Sequence, residues 1–399
     1  MKHAKKRTLA LLAGAMLLAG GSAAMAETTL KVVPQADLRN IDPVWTTAAI
    51  TQNHGYMVYD TLFALDSEFT PHPQMVDSYK TSDDGLTWTF TLRDGLMFHD
   101  GTAVTAEDCI ASIRRWAAHD GAGGKMLTFV EKMEATSDKS FTITLSAPFG
   151  QLPDLLAKPS PIPAFMLPKR LADTPAGEQI TDMVGSGPFR FAADEFQPGV
   201  RAVYEKFEDY VPREEPASGN AGGKVVNFDR VIWEVMPDIQ TAINALQAGD
   251  VDYLETLPTD LVPLVEMAEN VDYGVIKPVG SQVTGQFNHL IPPFDNPEVR
   301  RAAMYALDQE QILMTAIGNP EYYSMCASIY GCTVPLASDA GSDYLQGTAD
   351  ERMAKAKDIL AASGYDGTPV VMLQPTDLAI LQTPPIVAAE LLRKAGFTV

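Results

Sequence analysis

The stretch DGLTWTFTLRDG at residues 84–95 decides which fold class this chain can adopt. Within it, Trp88 and Phe90 alternate with threonines, and successive side chains of a β-strand point to opposite faces of a sheet. The alternation therefore predicts a strand with one buried face. An Asp-Asp-Gly turn at 83–85 separates it from a shorter run that begins at Tyr79, which predicts a second strand and a hairpin between the two.

Strands and helices alternate further along the chain. A helix that opens at Pro237 and Asp238 and ends at Gly249 lies between two predicted strands. Strand–helix–strand order predicts parallel pairing and therefore an α/β layer. The remaining strands are predicted at residues 30–33, 141–145, 184–191, 199–204, 231–235, 251–253 and 370–373, with extended chain at 275–288.

Three helices are predicted near the C-terminal end. An Asn-Pro cap and a closing glycine predict one helix over 296–318. A Thr-x-x-Glu capping box predicts another over 348–364, and a Thr-Pro start predicts a third over 383–396. By contrast, the proline-rich run at 148–168 predicts irregular surface structure.

Composition and charge narrow the function classes. The chain has 399 residues, of which 46% are hydrophobic, and 51 acidic side chains against 30 basic ones give a net charge of −21. This length exceeds one hydrophobic core and predicts two or three lobes. An acidic surface repels nucleic acids and anionic membranes, so neither is expected as a partner.

Residues 1–26 predict a secretory signal peptide. Four basic residues precede an apolar run at 9–20, and Ala24-Met25-Ala26 supplies a cleavage site before Glu27. The apolar run is too short for a permanent membrane span, and no other stretch reaches that length. We therefore expect an exported, soluble protein that is cleaved after Ala26. The alternative interpretation is a short buried N-terminal helix.

The three cysteines are too few for a disulfide framework but enough for one bridge. Cys326 and Cys332 can close a small loop in an oxidising compartment, and we favour a bridge there over two free thiols. A metal site is the least favoured interpretation because no histidine lies nearby. Cys109 shares one face of a helix that begins at Thr105 with Trp116, which predicts a buried apolar residue.

No motif indicates an enzyme or a cofactor. The chain lacks H-E-x-x-H, G-x-S-x-G and the P-loop pattern, and Gly185-Ser186-Gly187 lacks the third glycine of a dinucleotide loop. The five histidines after residue 26 are widely separated. His99-Asp100 is open to interpretation as an acid–base pair, but a turn pair before Gly101 is favoured. We expect no metal or cofactor, and we favour binding over catalysis.

A set of short motifs supplies a more specific signal. Together with the stretch at 84–95, they closely resemble the peptide- and nickel-type solute-binding proteins of ABC importers, the dipeptide/oligopeptide-binding family, also called family 5. They occur in the family's order and cover residues 30–399. The motifs are DP at 42–43, YDTL at 59–62, FHDG at 98–101, TAED at 105–108, GSGPF at 185–189, AGDVD at 248–252, FN at 287–288, PF at 293–294, VRRA at 299–302 and YALD at 305–308.

The resemblance implies a two-lobed α/β periplasmic binding protein fold of the class II, or cluster C, type. Residues 27–283 would form the first lobe, with an inserted subdomain at about 61–183, and residues 284–399 would belong to the second lobe. The hinge crossing would lie near 280–288. Family members are usually longer and return to the first lobe after the second, so we expect a C-terminally truncated chain whose second lobe is incomplete.

The implied function is capture of a peptide-like solute between the lobes in the periplasm, followed by delivery to the permease subunits of an ABC transporter and their ATPases. A monomer is expected. Dipeptide binders hold the ligand carboxylate with an arginine in a loop that here corresponds to residues 373–383, which contain no arginine or lysine. Longer peptides or other solutes therefore stay open. The alternatives are a secreted hydrolase with dispersed catalytic residues and a receptor or chaperone on the same fold.

Two groups of candidate ligand-binding residues come from the predicted first lobe and hinge. Trp45, Thr46 and Thr47 follow the first strand, and an indole beside hydroxyls suits stacking and hydrogen bonding to a peptide. A tryptophan packed into the lobe is the competing interpretation. Polar residues alternate along the predicted hinge strand and would face the cleft on one side: Gln282, Thr284 and Gln286. The alternative interpretation is that they are exposed to solvent on an edge strand.

The third group lies in the predicted second lobe. Gln374 and Asp377 occupy the loop in which peptide binders place their carboxylate-binding arginine. Asp377 would pair with a ligand amine, and the alternative is a turn that precedes a helix. These eight residues are the predicted ligand contacts.

Overall fold

A computed structural model describes residues 27–276, 280–334, 336–376 and 379–399 of the chain. No helix within these ranges is both long and apolar enough to cross a membrane. The strands are β1 Thr29–Val33, β2 Phe63–Leu65, β3 Pro71–Pro73, β4 Val76–Thr81, β5 Thr87–Leu92, β6 Val130–Ser137, β7 Ser140–Leu145, β8 Phe189–Phe191, β9 Arg201–Lys206, β10 Arg230–Glu234 and β11 Tyr253–Leu254.

Helices supply most of the remaining regular structure. The α-helices are α1 Ala49–Val58, α2 Ala106–His119, α3 Gly121–Leu127, α4 Leu152–Ala157, α5 Lys169–Ala172, α6 Ile239–Ala248, α7 Val262–Glu266, α8 Pro297–Ala306, α9 Gln309–Ile317, α10 Ala349–Ala362 and α11 Ala379–Ala395. Short 3₁₀ helices cover Thr259–Leu261, Pro320–Tyr322 and Ser342–Leu345.

A five-stranded mixed sheet has the order β11-β1-β10-β9-β8. β1 runs parallel to both β10 and β11, whereas β9 is antiparallel to β10 and to β8. The helix α6 connects β10 to β11, so the predicted strand–helix–strand unit is confirmed, with β1 inserted between its strands. Asp238 accepts from the Thr241 N–H at the start of α6, and Gly249 ends it with a φ of 77°.

An antiparallel sheet with the order β4-β5-β7-β6 contains β5, the centre of the stretch at residues 84–95. Trp88 and Phe90 are buried and the intervening threonines are half-buried, which confirms the predicted one-faced strand. Phe90 stacks on Phe141 of β7, with ring centroids 5.0 Å apart. The helix α2 covers this core through the buried Trp116. The capping box that begins α2 at Thr105 is also confirmed.

Two strand predictions fail because a strand needs a neighbour to complete its hydrogen bonds. The predicted strand at 370–373 is absent, since only the Val370 N–H bonds to a second extended segment, at the Thr398 carbonyl, 2.7 Å away. The predicted extended chain at 275–288 joins no sheet in its described residues, although it has no helix either.

Other boundaries differ from the predictions near glycine and proline. The strand predicted at 184–191 shortens to β8, because Gly185 and Gly187 pack against the backbone of Val58, and the Gly187 N–H bonds to the Val58 carbonyl at 2.9 Å. The proline-rich run at 148–168 is not wholly irregular, since it contains α4.

The helix predicted over 296–318 is two helices. The chain leaves helical geometry at Leu307, and the Asp308 carboxylate accepts from the Gln311 N–H to begin α9. Asp308 also pairs with Arg352 of α10. Capping by this aspartate therefore overrides the apolar periodicity that continues across the break.

The last helix, α11, begins before the predicted Thr-Pro start and continues through Pro384 and Pro385. Each proline removes one helical N–H donor, but the later turns bury Leu391, Leu392 and Ala395. α8, α10 and α11 share a core that includes Phe294 and Phe397. The lobe boundaries stay predictions.

Candidate functional site

The carboxyl ends of the three parallel strands β1, β10 and β11 meet at one edge of the five-stranded sheet. These ends are Val33, Glu234 and Leu254, and we call this the carboxyl edge. In α/β sheets ligands bind outside the carboxyl ends of the strands. The carboxyl edge is therefore the place where the fold favours a solute site.

Glu255 follows β11 at the carboxyl edge and is half-buried. One of its carboxylate oxygens accepts from the Gln35 backbone N–H at 2.8 Å, and the other accepts from Asn53 Nδ2 of α1 at 2.9 Å. It thus joins the loop after β1, the helix α1 and the end of β11. Sequence reasoning missed this contact, and the signal for it was an acidic residue two positions after the strand predicted at 251–253.

The first predicted group lies just before α1. Trp45 is half-buried, and its ring centroid lies 5.7 Å from that of His119 at the end of α2. Burial lowers the pKa of His119, so this neighbour is an uncharged ring at neutral pH. The Thr46 hydroxyl accepts from the Ala48 N–H at 3.3 Å. The exposed Thr47 accepts at its carbonyl from Gln52 Nε2 at 3.1 Å.

The same Gln52 amide donates to the Pro161 carbonyl at 2.5 Å. Gln52 and Asn53 are consecutive residues of α1, so one turn of this helix holds Thr47 on one side and Glu255 on the other. The helix α1 therefore links Thr47 of the first predicted group to Glu255 at the carboxyl edge.

The second predicted group is exposed and lies beside a disulfide-closed loop. Gln282, Thr284 and Gln286 are all exposed and form no strand. Gln282 Nε2 donates to the Ser328 carbonyl at 3.0 Å. Ser328 lies inside the loop that the Cys326–Cys332 disulfide closes.

The third predicted group lies before α11. Gln374 is exposed, and its Nε2 donates to the Gln382 carbonyl at 3.2 Å. In return Gln382 Nε2 donates to the Thr376 carbonyl at 2.9 Å. Asp377 lies outside the described residues. Within the described ranges no side-chain hydrogen bond or ring contact joins one predicted group to another, and their role in ligand binding stays a prediction.

Buried charges account for two of the motifs without a ligand. The fully buried Asp42 pairs with Arg115 at 2.7 Å. Asp60 accepts from Lys224 Nζ at 2.7 Å and from the Tyr210 hydroxyl at 2.9 Å. Both aspartates therefore hold together segments that are distant in sequence.

The half-buried His99 and the buried His54 also have structural partners. Burial lowers the pKa of His99 to about 4, and its imidazole accepts from the Gly185 N–H at 3.2 Å and donates to the Gly187 carbonyl at 3.0 Å. Gly101 follows with a φ of 82°, which confirms the predicted turn. Burial lowers the pKa of His54 to about 3, and its Nδ1 lies 3.0 Å from the Tyr204 hydroxyl. Across the described ranges, no cluster of three or more His, Cys, Asp or Glu side chains could hold a metal ion.

Comparison with known proteins identifies relatives of this chain among solute-binding proteins. The family model described as bacterial extracellular solute-binding proteins, family 5 Middle, matches residues 70–399. A probable peptide ABC transporter periplasmic-binding protein, y4tO of Sinorhizobium fredii, is 41% identical over 382 residues, which cover 95% of this chain and 71% of that protein. The glutathione-binding protein GsiB of Pectobacterium atrosepticum is 28% identical over 329 residues, which cover 82% of this chain and 59% of that protein.

Solved structures of binding proteins have a fold similar to that of this chain. AgaA from A. tumefacien R10, in complex with agropinic acid, is 28% identical with a TM-score of 0.73, and the match covers 93% of this chain and 72% of AgaA. DppA from Helicobacter pylori, in complex with the peptide STSA, has the same fold at 21% identity with a TM-score of 0.74, covering 94% of this chain and 73% of DppA. The mixed α/β fold is that of two-lobed periplasmic binding proteins, and the chain belongs to family 5 of the bacterial extracellular solute-binding proteins.

Proposed function

We propose that this protein captures a peptide-like solute between two lobes in the periplasm and delivers it to the permease subunits of an ABC importer. The observation that carries the proposal is the 41% identity with a probable peptide ABC transporter binding protein over 95% of the chain. It acts by binding and leaves the solute chemically unchanged.

The geometry of the carboxyl edge supports this proposal. The exposed Thr47 carries a hydroxyl of the kind that a peptide can hydrogen-bond, and the half-buried Trp45 offers an aromatic surface two residues before it. The boundary between the lobes would contribute Gln282, Thr284 and Gln286, and the second lobe, residues 284–399, would also contribute Gln374 and Asp377. A solute favours the closed form only to the extent that it binds that form more tightly, so contacts from both lobes are required.

Two features support export and a periplasmic location. Residues 1–26 have the composition of a signal peptide. The bridge between Cys326 and Cys332 suits an oxidising compartment. The protein would act as a monomer that docks on its permease.

The solute is expected to be a longer peptide or another small solute rather than a dipeptide. Residues 373–383 contain no arginine or lysine with which to hold a dipeptide carboxylate. AgaA, a relative at 28% identity, was solved with agropinic acid, so solutes other than peptides belong in the test.

Calorimetric titration of the purified protein with the peptide Ser-Thr-Ser-Ala, glutathione and agropinic acid tests the proposal. We expect saturable binding of at least one solute at a ratio of about one to one, and its mass is expected to be unchanged after incubation. A glycine titration serves as the control for non-specific heat. Conversion of a solute into products, or no saturable binding of any of the three, would contradict the proposal.

A further inference from the structure

The segment from Glu255 to Thr259 is hydrogen-bonded at both of its ends. At its start, the Glu255 carboxylate accepts from Gln35 at 2.8 Å and from Asn53 at 2.9 Å. At its end, the Thr259 hydroxyl donates to the Ile317 carbonyl, in the last turn of α9, at 2.6 Å. A few residues of chain therefore connect the carboxyl edge directly to the helical region that follows residue 284.

The Glu255 end of this segment also reaches the predicted solute-contact loop through one helix. Asn53 is held by Glu255, and the preceding residue, Gln52, is held by the carbonyls of Thr47 and Pro161. Because both side chains project from the same turn of α1, a shift of Asn53 also shifts Gln52. The position of Thr47 thus depends on the bond between Glu255 and Asn53.

The bonds to Glu255 are of the stronger kind. An ionised carboxylate that accepts an N–H forms a hydrogen bond about twice as strong as a neutral pair. Both carboxylate oxygens are engaged, each by a different segment, so the geometry of the side chain is fixed from two directions. Glutamine in the same place keeps one acceptor oxygen and loses the other.

We propose that Glu255 is a positioning residue, which fixes the loop at Trp45–Thr47 for solute contact. It also couples that loop to the segment at 255–259, which connects the carboxyl edge to the end of α9. The inference rests on the proposed function, because it assigns a role within the same solute site. Glu255 acts through Gln35 and Asn53 and makes no contact with solute itself. Coupling of this kind is reciprocal: solute that orders the contact loop also restrains the segment at 255–259.

The test compares Glu255→Ala and Glu255→Gln with Glu205→Gln. Glu205 lies on β9 of the same sheet, in register with Arg230 at the amino end of β10, so its substitution removes the same charge away from the carboxyl edge. Affinity for the peptide Ser-Thr-Ser-Ala is measured for each variant, together with amide hydrogen exchange without solute.

We expect affinity to fall about tenfold in Glu255→Ala, by less in Glu255→Gln, and by less than about twofold in Glu205→Gln. Amide hydrogen exchange at residues 35 and 45–53 should accelerate most in Glu255→Ala, less in Glu255→Gln and least in the control variant. It should stay unchanged in β5 and β7. A purely structural role would accelerate exchange in β5 and β7 as well, and the conservative glutamine would not restore part of the affinity.

Unchanged exchange at residues 45–53 in Glu255→Ala overturns the inference, whether or not the peptide binds. Equal affinities of wild type and both Glu255 variants overturn it too. If the wild type binds none of the three solutes named above, the proposed function fails, while the exchange comparison still decides the role of Glu255. The two failures are therefore distinguishable.

Discussion

Residues 61–183 and residues 284–399 of this chain fold in different ways. In the first region the strands β4 to β7 pair with one another and bury Phe90 and Phe141 completely. In the described part of the second region, helices α8 to α11 pack together and no strand forms, while Leu290 is 89% exposed. A hairpin supplies its own partner, whereas an isolated extended run does not. Local sequence therefore predicts the hairpins of the first region better than it predicts extended segments of the second.

The largest effect is expected from breaking the buried ion pair that anchors the first region. Arg115 and Asp42 have side chains that are 1% and 0% exposed. Arg115→Ala leaves the aspartate charge buried without its partner, and we predict a loss of about 3–5 kcal/mol in the free energy of unfolding. Urea unfolding measures it, with Arg114→Ala, at the exposed neighbouring position, as the control. Equal midpoints for the two variants would contradict the prediction.

The corresponding ion pair of the second region should contribute less. Arg352 and Asp308 have side chains that are 13% and 11% exposed, so water partly replaces a lost partner. We predict that Arg352→Ala costs about 1.5–3 kcal/mol. The control is Arg301→Ala, whose side chain lies at an exposed position of α8. A cost as large as that of Arg115→Ala would remove the energetic difference between the two regions.

Acid should destabilise the part of the chain that buries His54. Burial lowers the pKa of this imidazole to about 3. Between the ordinary histidine value and that pKa, the unfolded chain binds a proton that the folded chain does not. Stability therefore falls as pH falls, and by pH 5.5 the loss from His54 is about 1.4 kcal/mol.

Urea unfolding at pH 7.5 and pH 5.5 measures this dependence. His54→Phe should reduce the difference between the two pH values by about that amount, whatever constant offset arises from the lost contact with the Tyr204 hydroxyl. The exposed His289 of the second region provides the control variant His289→Phe. A pH difference that His54→Phe leaves intact would show that other groups carry it.

The smallest effects should be equal in the two regions. Thr105 and Thr348 both begin helices with a capping box. We predict that Thr105→Ala and Thr348→Ala each cost about 1 kcal/mol, because capping depends on adjacent residues only. Thr→Ser at each position keeps the hydroxyl and should restore most of the stability. Thermal unfolding measures both pairs, and a cost confined to one region would contradict this view of capping.

The difference between local contacts and contacts to distant residues explains which elements could be predicted from sequence. The helices α6 and α10 begin and end near the predicted residues, and α2 begins at the predicted Thr105, because their caps lie in the adjacent sequence. The break between α8 and α9 was missed because Asp308 acts both as a cap and as the partner of the distant Arg352. The strand predicted at 370–373 depends on a neighbour that local sequence does not supply.

The contacts of the candidate site also differ in how far apart their partners lie in the sequence. Cys326 and Cys332 are near neighbours in sequence, so their pairing could be considered from spacing alone. Glu255 and Asn53 are 202 positions apart, and neither local sequence predicts the contact between them. Within the described ranges, no hydrogen bond joins predicted contacts on different segments, and contacts between distant segments depend on tertiary structure that periodicity does not encode.

The place of β1 in its sheet has a consequence for the order of folding. β1 lies between β10 and β11, and its first residue, Thr29, is in register with Arg230. Contacts between residues so distant in sequence form late, whereas the hairpins of residues 61–183 are local. In a chain made from its amino end, β4 to β7 can assemble while β1 still lacks both neighbours. The earliest strand to be synthesised is thus among the last to be secured, and its sheet is completed only when residue 254 has arrived.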